Sequence, residues 1–198
     1  MTGFPEVSTV DPRLVRLRES VATAPVVWKG EYPYFIHPLT DGVPRLAPAL
    51  LRDALDLITD TVDWDQVDII IGIEAMGLPF GTALALEQDR PLVVARKRSY
   101  GLEGEITVDQ STGYSKGSIH LNDIQPGERV LIVDDVISTG GTLRAVLQAI
   151  EDADAIIAQV VCVFEKGLGM EELIEEFGWP LESLVKVEMI DGVVHCLT

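Results

Sequence analysis

The sequence predicts an α/β fold, a central and mostly parallel sheet flanked by helices. Three observations carry that prediction. Short, β-branched runs recur from residue 67 onward, at Val67–Ile73, Arg90–Ala95, Glu128–Asp134, Ile156–Phe164 and 184–190. Stretches with apolar residues at helical spacing separate several of them, as at 140–152, where Leu143, Val146, Leu147 and Ile150 fall on one face. The runs are nearly all apolar rather than alternating, which suits strands covered on both faces.

The elements follow in order. Residues 11–21 open with an Asp cap and a Pro at the first helical position. Residues 25–43 are rich in Pro and Gly, hold Trp28, Tyr32, Tyr34 and Phe35, and predict an ordered loop or short strands. Residues 44–60 space their leucines helically. The strand at 67–73, a helix at 78–87 and the strand at 90–95 come next. Residues 101–118 are polar and Gly-rich, and predict a mobile hairpin or loop. The third strand at 128–134, the helix at 140–152, the fourth strand at 156–164, a short acidic helix at 170–177 and a last strand at 184–190 complete the chain. Alternation of this kind gives parallel strands with crossover helices. Ligands in such sheets sit at the carboxyl ends of strands. That rule singles out Glu74–Gly77, Arg96–Lys97 and Asp134–Thr142.

The 198 residues fit one domain, 1–198, with no repeat or linker. With 47% hydrophobic residues the chain can fill a core. No run of 18 apolar residues occurs, so no transmembrane helix is expected. Asp11, Arg13, Arg16 and Glu19 interrupt the N-terminal apolar residues, so a signal peptide is not expected and a cytoplasmic location is. Cys162 and Cys196 lack metal spacing and are expected as reduced thiols; His37, His120 and His195 are expected to be structural. The formal net charge is −17, from 32 acidic and 15 basic residues. Such a surface repels phosphate backbones and anionic membranes, so neither nucleic acid nor membrane is expected as a partner. An acid-rich, lysine-poor chain is expected to work in a high-salt, halophilic cytoplasm, where screening confines the repulsion to short range.

Asp134 and Asp135 close an apolar strand, and Ser138-Thr139-Gly140-Gly141-Thr142 leads into a helix. Glycines admit close backbone approach, successive amides form an anion nest, and the helix N-terminus adds positive potential. Three hydroxyls add donors. The Lys of a triphosphate-binding loop and the spacing of a dinucleotide fingerprint are both absent. Paired carboxylates are acceptors suited to a sugar diol, and they place negative charge beneath a sugar cation. The plainer reading is an Asp-Asp helix cap, but the conjunction of strand, acids and turn favours a phosphorylated sugar.

Glu74, Ala75, Met76 and Gly77 form a small-residue turn that can present amides to a second anion; the plainer reading is a strand-to-helix turn capped by Glu74. Arg96, Lys97 and Arg98 stand out in so acidic a chain as neutralisers of a departing anion, or else as a solvated basic turn. At Phe164, Glu165 and Lys166, the Phe offers a stacking face, the Lys a donor to a 6-oxo group, and the Glu a group to orient it. The plainer reading there is a core Phe followed by a surface ion pair.

The stretch Val130–Thr142 resembles the signature of the type I phosphoribosyltransferases. Lys29–Gly42 and Glu165–Lys166 resemble the archaeal hypoxanthine/guanine group and the xanthine enzymes, and Ala95-Arg96-Lys97 an element of adenine and xanthine enzymes. The resemblance spans nearly the whole chain. It implies that Asp134 and Asp135 hold the ribose hydroxyls of phosphoribosyl pyrophosphate and that Ser138–Thr142 hold its 5′-phosphate. It implies that Glu74–Gly77, with a cis peptide at Glu74–Ala75, and Arg96 and Lys97 face the pyrophosphate. It implies a hood over the base, built from about 22–43 and 165–198, and a flexible loop at about 101–118 bringing Tyr114 and Lys116 to the site. Mg2+, held mostly by the donor, and a homodimer are implied as well. The expected reaction is transfer to N9 of a purine, hypoxanthine or guanine, in purine salvage. Adenine or xanthine is the alternative base, and a non-catalytic regulator that binds the donor is the rival class. Against the regulator stand the acidic charge and the short segment ahead of the first strand. The chain departs from the pattern at Gly113 and Ser138, where relatives of two kinds place a carboxylate, so no general base is named.

Overall fold

The structure, a computed structural model, describes residues 10–30, 32–111 and 116–197. Its main sheet has six strands in the order β10-β9-β8-β7-β3-β4. These are β3 (Ile69–Ile73), β4 (Leu92–Ala95), β7 (Arg129–Ile137), β8 (Ile156–Lys166), β9 (Leu181–Ile190) and β10 (Val193–Cys196). All neighbours are parallel except β9 and β10. The predicted α/β class is therefore the observed one. Every residue of β3 is buried, because helices cover the sheet on both sides.

One apolar layer joins α1 (Pro12–Ala22), α3 (Pro48–Thr61) and α4 (Gly77–Gln88) to the sheet, with Leu17, Ile58, Phe80 and Leu84 packed among Ile70, Leu131 and Val133. The opposite layer joins α5 (Gly141–Asp152), α6 (Gly169–Phe177) and the hairpin of β5 (Ile106–Ser111) and β6 (Lys116–Leu121). There Val146, Leu147, Ile150, Ile119 and Leu173 meet Ile71, Ile132 and Val160.

Local signals explain most boundaries. Asp11 caps α1 by accepting from the Arg13 amide at 2.8 Å, with Pro12 in the first turn. The helix expected over 44–60 begins instead at Pro48. Pro48 supplies the fixed φ and missing N–H that suit a first turn. Residues 25–43 resolve into β1 (Val26–Lys29), β2 (Tyr32–Phe35) and the short helix α2 (Pro38–Asp41). The buried His37 caps α2, its Nδ1 accepting from the Leu39 amide, while Nε2 lies 3.0 Å from the Ser20 hydroxyl. Burial lowers its pKa to about 4 against the opposing field of Asp41, so it stays neutral as a structural residue.

Three strands run further than their sequence signal. β7 continues through Asp134 and Asp135 to Ile137, pairing Asp134 with Cys162 and Val136 with Phe164. β8 reaches Lys166, and β9 starts at Leu181. The edge strand β10, beyond the last strand expected from the sequence, pairs antiparallel to β9 from Val193 to Cys196. The polar segment after β4 forms the β5–β6 hairpin, whose tip lies outside the described residues. Among the described residues, no helix is long and apolar enough to cross a membrane.

Candidate active site

The chain passes from β3 outward to β4, then returns to lay β7 against the other side of β3. Strand order thus reverses between β3 and β7, and a crevice opens at their carboxyl ends. One cavity occupies that crevice. It is lined by Glu74, Ala75 and Met76 after β3, by Lys97 after β4, by Asp134–Thr142 from β7 into α5, and by Lys166 at the end of β8. Four segments meet there because parallel strands end on the same side.

The turn after β7 is built for an anion. Gly140 adopts a left-handed φ of 72° and no side chain caps α5 among the described residues, so the first amides of the helix face the cavity unclaimed by a cap. Gly169 packs against the back of this turn. A Cβ there would lie 2.2 Å from the Ser138 carbonyl oxygen, to which the Gly169 amide donates at 3.1 Å. Sequence reasoning missed Gly169; a glycine at the junction of β8 and α6 was its only signal. It also missed Gln110, whose Oε1 accepts from the Thr142 hydroxyl at 2.6 Å and which ties the β5–β6 hairpin to the phosphate turn.

Asp134 and Asp135 lie side by side on the cavity floor, where the Asp135 amide donates to Asp134 Oδ1 at 3.0 Å. Burial raises the Asp134 pKa to about 6, against hydrogen bonds from Asp135 and the Lys97 charge. Burial, and then the charge of Asp134, push Asp135 well above the usual carboxylate range. Two carboxylates that desolvation holds back from ionising are short of positive charge. A cationic or metal-chelated ligand would relieve both.

On the pyrophosphate side, the peptide between Glu74 and Ala75 is cis, as the resemblance implies. The Glu74 carboxylate accepts from the Lys97 amide at 3.1 Å, joining the two loops. Gly77, expected among the donor-binding residues, does not line the cavity. It is the point where α4 packs on the end of β7. Arg96, expected as catalytic, does not line the cavity either. Successive residues on extended chain point to opposite sides. Lys97 takes the cavity side, and the Arg96 guanidinium lies 5.0 Å from the Tyr100 ring centre. Arg98 stacks on the same ring at 5.5 Å.

On the base side the plainer reading of Phe164 as a core residue is the observed one, whereas Glu165 is buried and pairs with Lys186 rather than forming a surface pair with Lys166. Phe164 is fully buried, edge-on to Phe35 and His37, and offers no face to the cavity. Glu165 turns to β9, accepting from the Ser183 hydroxyl at 2.8 Å and pairing with Lys186 at 3.0 Å. Lys166 does line the cavity, together with Tyr32, Tyr34, Phe35 and Thr40. Its ammonium donates to the Pro33 carbonyl at 2.5 Å and lies 3.9 Å from the Tyr32 ring centre. Tyr114 lies outside the described residues, as does the side chain of Lys116.

An anion turn and a carboxylate pair at a topological switch point define a class of α/β protein that binds phosphorylated small molecules at the strand ends. The chain belongs to the phosphoribosyl transferase domain family, whose model matches residues 45–178. It is 55% identical over 181 residues to a hypoxanthine/guanine phosphoribosyltransferase of Ferroglobus placidus, covering 91% of this chain and 96% of that one. It is 48% identical, also over 181 residues, to a protein of the same name from Aciduliprofundum boonei, covering 91% and 98%. Among solved structures it resembles an adenine phosphoribosyltransferase of Rhodothermus marinus, with a TM-score of 0.73, 26% identity, and coverage of 88% of this chain and 98% of that one.

Proposed function

We propose that this chain transfers 5-phosphoribose from phosphoribosyl pyrophosphate to N9 of hypoxanthine or guanine, releasing pyrophosphate. One observation carries the reading. The uncapped turn of α5, the charge-starved Asp134–Asp135 pair and the Lys166 ammonium line a single cavity. A phosphate, a ribose and a 6-oxopurine need those three groups in turn.

The 5′-phosphate takes the amides of Gly140–Thr142 and the hydroxyls of Ser138 and Thr139, and that of Thr142 once it turns from Gln110. The ribose 2′- and 3′-hydroxyls donate to Asp134 and Asp135. As the bond from C1 to pyrophosphate breaks, positive charge grows on the sugar. The carboxylates beneath it stabilise that charge more than they stabilise the ground state, which is the condition for catalysis. Glu74–Met76 and Lys97 receive the departing pyrophosphate. Lys166 donates to the 6-oxo oxygen, and with the amino group of adenine it would set donor against donor.

The paired hard oxygens and their lack of positive charge fit a Mg2+ ion carried in on the donor, whose chemistry is to neutralise the leaving pyrophosphate. Among the described residues no group of three or more His, Cys, Asp or Glu side chains is placed to hold a metal by itself. The β1–β2 hairpin with α2 is assigned as the hood, the β5–β6 hairpin as the closing loop, and a homodimer in a salt-rich cytoplasm as the working state.

The test is pyrophosphate release with adenine, hypoxanthine, guanine and xanthine in parallel at high salt. Turnover is expected with the 6-oxopurines. Donor binding without turnover of any base would favour the regulator. Asp135→Asn is expected to cut turnover by about 100-fold or more while leaving the fold intact; near-normal activity would sink the assignment.

A further inference from the structure

Tyr32 touches both ends of the site. Its phenolic oxygen lies 2.9 Å from the Ser138 hydroxyl, 106 positions along the chain, and its ring carries the Lys166 ammonium 3.9 Å from its centre. Lys166 also donates to the carbonyl of Pro33, the next residue of β2. Two contacts of the base-side lysine therefore come from β2, and the Tyr32 hydroxyl in turn fastens β2 to the phosphate turn. Tyr34 and Asp41 fix the far side of the same unit, the phenol donating to the carboxylate at 2.6 Å. One bond of the hairpin ends on a residue that binds the donor's phosphate in the proposed reaction.

We infer that Tyr32 is a positioning residue that couples the phosphate turn to the base pocket. Its hydroxyl registers the state of Ser138, and its ring sets where Lys166 stands. Ser138 thereby has work that its position in the signature does not suggest: it anchors the element that covers the base. The coupling acts through Lys166 and does not require Tyr32 to touch a substrate. It rests on the purine transfer proposed above.

The experiment compares the full-length chain with Tyr32→Phe, Ser138→Ala and the double variant at high salt. Tyr32→Phe keeps the ring and removes one hydrogen bond. It is expected to raise KM for the 6-oxopurine about tenfold, with kcat and the donor Kd, measured alone by calorimetry, within about twofold of wild type. Ser138→Ala also removes a hydroxyl that binds the 5′-phosphate, so its donor Kd is expected to rise; at saturating donor it is expected to raise the base KM by the same factor, and the double variant by no more than either single one. A purely structural tyrosine would instead weaken donor and base together and lower the thermal midpoint. That pattern, an unchanged base KM in Tyr32→Phe, or additive effects of about a hundredfold in the double variant, would overturn the inference. Amide exchange across Val26–Phe35 gives a reading that needs no turnover. It is expected to speed up about tenfold in both single variants, and unchanged protection would reject the coupling. If wild type turns over no base while exchange responds as expected, the transfer reaction fails and the coupling stands.

Discussion

Gly77 sits so close to the end of β7 that a Cβ on it would lie 3.1 Å from a carboxylate oxygen of Asp134 and 2.6 Å from the Val133 carbonyl oxygen. This contact sets the separation between the loop after β3 and the carboxylate pair. Gly77→Ala is expected to push α4 away from β7, destabilising the fold by about 1–3 kcal/mol. The donor KM should rise as well, since Glu74–Met76 move with the helix. Thermal melting and donor titration check both; a variant as stable and as active as wild type would show that the contact is slack.

The second prediction concerns the charge-starved pair. The folded-state pKa of Asp134, about 6, lies above its ordinary value of 3.8. The favourable contribution of its neutral form is complete below the ordinary value and is lost as pH rises through about 6. Asp134→Asn removes the buried charge with little change of shape. In the absence of ligand it is expected to raise the melting midpoint at pH 7 by about 2–6 °C. It should also flatten the fall in stability between roughly pH 4 and 6, and lower kcat/KM by about 100-fold or more. A melting curve at each pH, beside one activity assay, decides it.

Lys166 provides the third. With Lys166→Met, the preference for hypoxanthine over adenine is expected to shrink by about 10- to 100-fold, the weight of a charge-assisted hydrogen bond. The ratio of kcat/KM values for the two bases is the measurement. An unchanged ratio would move base recognition to groups outside this cavity wall.

Salt gives the fourth. With a net charge of −17, self-repulsion opposes the compact state, and added ions screen it. The melting midpoint is expected to rise steadily from low salt to molar potassium chloride. A chain fully folded and active without salt, and losing both in molar potassium chloride, would rule out the halophilic assignment.

Most of the strand–helix alternation was legible because buried parallel strands and amphipathic helices write their periods directly into the residues. Asp134–Thr142 was legible for a similar reason: a phosphate turn draws its donors from consecutive amides. The base side was not. Phe164, Glu165 and Lys166 are consecutive, yet one is buried under Phe35 and His37, one pairs with Lys186, and one faces the cavity. Adjacent residues on a strand point apart, and which side meets a ligand depends on what packs there from elsewhere. Arg96 and Lys97 divide in the same way.

The sequence by itself determined the α/β class, the anion turn and the two carboxylates, because each rests on short-range geometry. Only the tertiary structure decided that Lys97 rather than Arg96 faces the site, that Gly77 and Gly169 are packing points, and that Tyr32 spans Ser138 and Lys166. Those facts arise where strand order reverses between β3 and β7. Contacts made there join residues distant in sequence, as Tyr32 and Ser138 are at 106 positions, and no local period in the chain encodes them.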